Sequence, residues 1–184
     1  MPKIIEELRE TILANTKEIL LAEGYDALTV RSVAKASGIA VGTVYNYFPS
    51  KDMMVASVML GDWMAALEKM REDVLQAPDA VEGMRQMSLR IREFSERYSL
   101  TWEQYRAGVG AVIFYRERHK QLVAQLTELT ELLLARHDGW KQENLAEFLA
   151  ENLLAASQQE EDAFEKMEPV LRKLLQQDTD QGPK

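Results

Sequence analysis

The stretch from Ala22 to Lys51, AEGYDALTVRSVAKASGIAVGTVYNYFPSK, constrains the fold more than any other part of the chain. It sets two short helical periods on either side of a tight turn and closes on an aromatic cluster. Thr29 stands where an N-cap belongs, and Val30, Val33 and Ala34 repeat at helical spacing until Ser37-Gly38 stops the run. A second run starts near Ala40 and ends at Phe48-Pro49-Ser50. Its interior Gly42 weakens a helix by about 1 kcal/mol relative to alanine, so the position implies that a phosphate or base edge comes close to the backbone there. Two short helices joined by a glycine-containing turn have the layout of a helix-turn-helix that reads DNA.

The rest of the chain is helical by pattern. Ile5, Leu8, Ile12, Ile19 and Leu20 form the stripe of a first helix that Gly24 terminates. Ser50 before Lys51-Asp52-Met53 is a capped start for a long fourth helix running toward Gln76, and Ala77-Pro78-Asp79 breaks it. Met84, Met87, Ile91, Phe94 and Tyr98 then share one helical face. Thr101 can cap a short helix that fails around Gly108 and Gly110, and Leu122, Leu126, Leu129 and Leu133 stack along a long one that ends at Gly139. The expected fold is all-α. An N-terminal three-helix DNA-binding domain with a helix-turn-helix, residues 1–49, precedes a C-terminal helical regulatory domain, residues 50–184, the two joined through the fourth helix.

Composition narrows the function. The chain has no cysteine and only His119 and His137, so neither a disulfide framework nor a zinc centre is expected. MPKIIEELRE lacks the basic and apolar regions of a signal peptide, and no apolar run is long enough to cross a bilayer, which points to the cytosol and away from membranes. The net charge of −8 argues at first against a nucleic-acid partner, but residues 1–52 hold six basic and seven acidic side chains, so the surplus acid lies in the remaining body. An acidic body weakens loose sliding and leaves affinity to specific contacts. With no Gly-rich phosphate loop, GxSxG elbow or HExxH motif, no catalytic residue, metal or cofactor is expected.

Residues 22–51 resemble the DNA-binding segment of the tetracycline-repressor (TetR) family of bacterial transcriptional regulators. The resemblance rests on AEG, the Thr29-Val30-Arg31-Ser32-Val33-Ala34 helix start, Ser37-Gly38-Ile39, Gly42-Thr43-Val44-Tyr45-Asn46-Tyr47-Phe48, and Ser50-Lys51. It implies a homodimer of all-helical subunits with roughly nine helices each, whose C-terminal domain binds a small molecule and thereby releases the operator. Ala40 departs from the pattern where a capping serine is common. Ser32 departs where an acidic residue often completes a capping box. Both leave the reading-helix start less firmly capped.

The candidate DNA-binding residues follow from reach and type. Ala40 and Val41 suit thymine methyls, Thr43 offers a hydroxyl, and Gly42 admits close approach. Tyr45, Asn46 and Tyr47 supply phenol and amide donors, Thr29 and Arg31 begin the preceding helix, and Lys51 suits the phosphate backbone. Val44 and Phe48 read instead as the small domain's core.

Two further groups stand out. Seven of nine methionines fall between Met53 and Met87, and six of fourteen aromatics between Phe94 and Tyr115. Trp63, Met87, Phe94, Tyr98, Trp102, Tyr105 and Phe114 are therefore candidates to line an apolar ligand cavity, with ordinary core packing as the competing reading. Leu145, Phe148, Leu149 and Leu153, followed by Leu171 and Leu174, form two apolar stripes that suit a four-helix dimer interface or the subunit's own core. Pro169 either kinks the second stripe or marks a fresh start. The leading expectation is a repressor released from an approximately palindromic operator by an apolar or aromatic small molecule. The alternative is an all-helical protein-interaction module whose Tyr45, Tyr47 and Lys51 face a protein.

Overall fold

The computed structural model describes residues 6–99, 101, 111–137, 143–157, 159 and 162–176, with the side chains of 111–118 and 176 left aside. Eight helices lie within these residues: α1 (Glu6–Ala27), α2 (Val30–Ala36), α3 (Val41–Tyr47), α4 (Lys51–Gln76), α5 (Ala80–Arg97), α6 (Ala111–His137), α7 (Leu145–Ala156) and α8 (Ala163–Gln176). The all-α expectation is met. No helix among the described residues is long and apolar enough to cross a membrane. The chain divides into two compact units, Met1–Ala65 with Glu96–Ala111, and Ala66–Ser95 with Val112–Lys184. The single unbroken helix α4 contributes residues to both.

In the first unit, α1 packs on α2 and α2 on α3. Ile12, Leu20, Leu28, Val33, Val44 and Phe48 are all buried there. α1 does not simply stop at Gly24. That residue takes φ 83°, ψ 173°, a left-handed bend open to glycine, and the Leu28 N–H returns to the Gly24 carbonyl at 3.3 Å, so one more turn follows the bend. Serine also completes the cap that seemed to need an acid. The Ser32 N–H donates to Thr29 Oγ1 and the Thr29 N–H to Ser32 Oγ, both at 3.0 Å, because a short hydroxyl reaches the N-cap backbone as a carboxylate would. α3 starts, as expected, without a side-chain cap at Ala40.

The beginning of α4 is capped by Ser50, whose Oγ accepts the Met53 N–H at 3.2 Å. Asp79 performs the same service for α5, accepting the Glu82 N–H at 2.8 Å. In the second unit, Met84, Met87, Ile91 and Phe94 bury the face of α5 read from the sequence. Gly83 lets that helix approach Leu133 of α6, since a Cβ there would lie 2.4 Å from the Leu133 side chain. Arg85 ties α5 to α8. It stacks over Phe164 at 4.9 Å, pairs with Glu165 at 3.1 Å and also bonds Glu168. α8 runs through Pro169 without a break. The expected helix ends near Gly108, Gly110 and Gly139 lie outside the described residues.

Candidate nucleic-acid interface

The α2–α3 corner is held by the backbone. Gly38 adopts φ +67°, the Gly38 N–H donates to the Lys35 carbonyl at 3.2 Å, and the Ile39 N–H donates to the Ala34 carbonyl at 3.0 Å. From α1, the Asn15 amide donates to Ser37 Oγ at 3.2 Å and braces the turn. This contact pairs residues far apart in sequence, and no local pattern announces it.

α3 then divides its side chains. Val44 and Phe48 point into the core, as the pattern suggested, and Arg9 lies over the Phe48 ring at 5.4 Å. Ala40, Gly42, Tyr45 and Asn46 are exposed, with Tyr45 at 51%, while Val41, Thr43 and Tyr47 are half-buried beside them. A Cβ built on Gly42 meets nothing within 4 Å, so the protein itself does not require glycine at that position. Arg31 and Lys35 extend the exposed surface onto α2. Thr29 is exposed too, but its hydroxyl is committed to the α2 cap.

Lys51 sits one residue past Ser50 and is only half-exposed. Its ammonium lies 3.8 Å from the centroid of the Tyr25 ring, and the Tyr25 hydroxyl donates to Asp52. Partial burial lowers the Lys51 pKa from its ordinary value, against the opposing pull of the Asp26 and Asp52 carboxylates. Sequence reasoning named Lys51 and passed over Tyr25; the aromatic next to Gly24 was the available signal.

Residues 12–58 match the family model for bacterial regulatory proteins of the tetR family, a span that contains α2, α3 and the start of α4. This segment belongs to the TetR family. It is similar to the transcriptional repressor KstR2 of Rhodococcus jostii, 31% identical over 72% of this chain and 61% of the repressor. It is also similar to the transcriptional regulator UidR of Escherichia coli K12, 26% identical over 83% of this chain and 68% of that protein. In fold it resembles Thermus thermophilus FadR, a TetR-family repressor solved in complex with lauroyl-CoA, at 21% identity and a TM-score of 0.63 over 91% of this chain and 93% of the other. The chain thus spans about three fifths of the length of KstR2.

Trp63, Met87, Phe94 and Tyr98 are buried, Trp63 and Tyr98 in the first unit and Met87 and Phe94 in the second. Trp102 and Tyr105 lie outside the described residues, and Phe114 lies on α6 with its side chain outside them. Tyr98 has a polar anchor, its hydroxyl donating to Asp62 at 2.8 Å. Of the C-terminal stripes, Leu145, Leu149, Leu153 and Leu171 are buried within the subunit, Leu174 is half-buried, and Phe148 is 59% exposed. Val170, which the sequence reading passed over, is 67% exposed, and with Phe148, Met167 and Leu174 it lines an open groove along α7 and α8.

Proposed function

We propose that this chain is a dimeric, ligand-responsive repressor that reads an operator through α3. The observation that carries the reading is the partition of α3. Val44 and Phe48 anchor it, while Ala40, Gly42, Tyr45 and Asn46 are left facing outward on a helix too short and too exposed to serve packing alone. Ala40 and Val41 meet thymine methyls, Thr43 and Asn46 offer hydrogen bonds to base edges, and Tyr45, Tyr47, Arg31 and Lys51 hold phosphates. Thr29 acts through the cap that sets the start of α2. The dimer uses the α7–α8 groove, with Phe148, Val170 and Leu174 as the contact and Leu145, Leu149, Leu153 and Leu171 as the packed layer beneath. Two reading heads about 34–36 Å apart, or a multiple of it, then require an approximately palindromic site. The protein acts in the cytosol.

The ligand is a mainly apolar or aromatic small molecule, because the methionine- and aromatic-rich segments of the chain offer few groups that could pair a buried charge. α4 carries the signal, since one unbroken backbone runs from Lys51 to Gln76. A coupling of about 1–3 kcal/mol changes operator affinity about 5–150-fold, and linkage requires the operator to weaken the ligand by the same factor. Lauroyl-CoA, bound by the Thermus thermophilus relative in fold, is the first probe, its acyl chain being the apolar part that such segments would take up. Tryptophan fluorescence titrated with lauroyl-CoA, and then with a panel of apolar and aromatic compounds, should reveal a ligand whose affinity falls when a duplex selected by the protein from a random pool is present. A ligand that binds equally tightly in both conditions defeats the switching mechanism.

A further inference from the structure

We propose that Tyr25 is a positioning residue for DNA binding: its ring holds the Lys51 ammonium in the place from which it meets a phosphate. The inference rests on the reading of Lys51 as a backbone contact given above, and it adds a residue of α1 to the interface.

The geometry is a closed arrangement across two helices. Gly24, at φ 83°, turns the end of α1, and Tyr25 follows immediately. The Tyr25 hydroxyl is tethered to Asp52 on the first turn of α4, which fixes the far end of the ring. The Lys51 ammonium lies 3.8 Å from the ring centroid. Such an ion is attracted to the negative face of the ring.

As a structural staple, this arrangement is a poor choice. A lysine in the first turn of a helix opposes the positive end of the macrodipole, and partial burial disfavours its charge by more than the Asp26 and Asp52 carboxylates favour it. What the arrangement does supply is a cation with a fixed position. A free lysine surrenders the freedom of a flexible four-carbon stem when it docks on DNA, whereas one already laid on a ring surrenders less. The ammonium carries three donors, and a ring occupying one side leaves the others able to reach a phosphate oxygen. Lys51 lies four residues beyond Tyr47, at the junction of the reading helix and α4, where a backbone contact would fix the register of α3.

The test measures the salt dependence of binding to duplexes selected by the full-length protein from a random pool. Lys51→Ala should reduce the slope of log affinity against log salt by about one contact's worth, ~0.9. Tyr25→Leu should reduce it by a similar amount although Lys51 is still present, Tyr25→Phe, which keeps the ring face and loses only the Asp52 tether, should lose less than Tyr25→Leu, and Tyr25→Leu combined with Lys51→Ala should lose no more than Lys51→Ala alone. A normal slope in Tyr25→Leu beside a reduced one in Lys51→Ala overturns the positioning role and leaves the DNA-binding reading intact. A normal slope in Lys51→Ala removes the phosphate contact itself. An independent measurement needs no variant of Tyr25. The Lys51 ε-methylene protons of the wild-type protein should show the upfield shift of a ring face, and should retain it in the duplex complex. Collapse of that shift on DNA binding means that the ammonium leaves the ring, and the proposal fails.

Discussion

Lys17 of α1 and Asp62 of α4 are joined by an ion pair at 2.6 Å, and the other oxygen of Asp62 accepts from the Tyr98 hydroxyl at 2.8 Å and from Arg97 at 3.1 Å. One carboxylate therefore fastens α1 to Arg97, the last residue of α5, and to Tyr98 just beyond it, from its place on α4. Burial pushes the Asp62 pKa up, but the hydrogen bonds from Lys17, Tyr98 and Arg97 outweigh it and hold the group below its ordinary 3.8.

Because the folded-state value is depressed, Asp62 contributes stability above its unfolded pKa, near 3.8, and that contribution is lost as pH falls through the lower folded value. Asp62→Asn should destabilise the protein by about 1.5–3 kcal/mol near neutral pH, the range for a hydrogen bond to a charged group. Thermal melts from neutral to acid pH should show the variant losing less stability than the wild type below that point. Parallel pH profiles for the two proteins would contradict the assignment.

Gly42→Ala separates folding from binding. Since nothing lies within 4 Å of the added methyl, α3 should gain up to about 1 kcal/mol of stability from the better helix former. If a duplex approaches the backbone there, operator affinity should fall at least tenfold, ~1.4 kcal/mol. A raised melting temperature with undiminished binding would show that the glycine serves no contact.

At Gly83 the outcome should be reversed. A methyl there would lie 2.4 Å from Leu133 Cδ1 and 3.2 Å from the Ala77 Cβ, so Gly83→Ala overpacks α5 against α6. The expected loss is about 1–3 kcal/mol in chemical denaturation, and no loss would mean that the leucine moves aside freely.

Phe148→Glu places a charge on a side chain that is 59% exposed, so the subunit should keep its helix content and sediment as a monomer. Leu153→Glu, at a fully buried position, should unfold the C-terminal unit and is no test of the interface. Dimers of undiminished stability in Phe148→Glu would move the interface elsewhere.

These residues also show where the sequence was legible. The caps at Thr29, Ser50 and Asp79, the turn at Gly38 and the inward face of α5 are short-range features, written in residues a few positions apart. Tyr25 against Lys51, Asn15 against Ser37 and Lys17 against Asp62 depend on how distant turns meet, and no periodicity reports that. The same holds for the C-terminal stripes. Spacing identifies Leu149, Leu153 and Phe148 alike as apolar, but only the packing of α7 against α8 separates the buried pair from the exposed ring. At Ser32 the reason is different: the usual capping partner is longer, yet the geometry closes with a hydroxyl.

The most direct measurement of the central claim is selection of duplexes from a random pool by the purified full-length protein, followed by sequencing. The account predicts enrichment of an approximate palindrome whose half-sites lie about one helical turn apart or a multiple of it, with a preference at specific positions that changes in Thr43→Ala. Recovery of no common sequence, or of a site indifferent to changes at Val41 and Thr43, would contradict it.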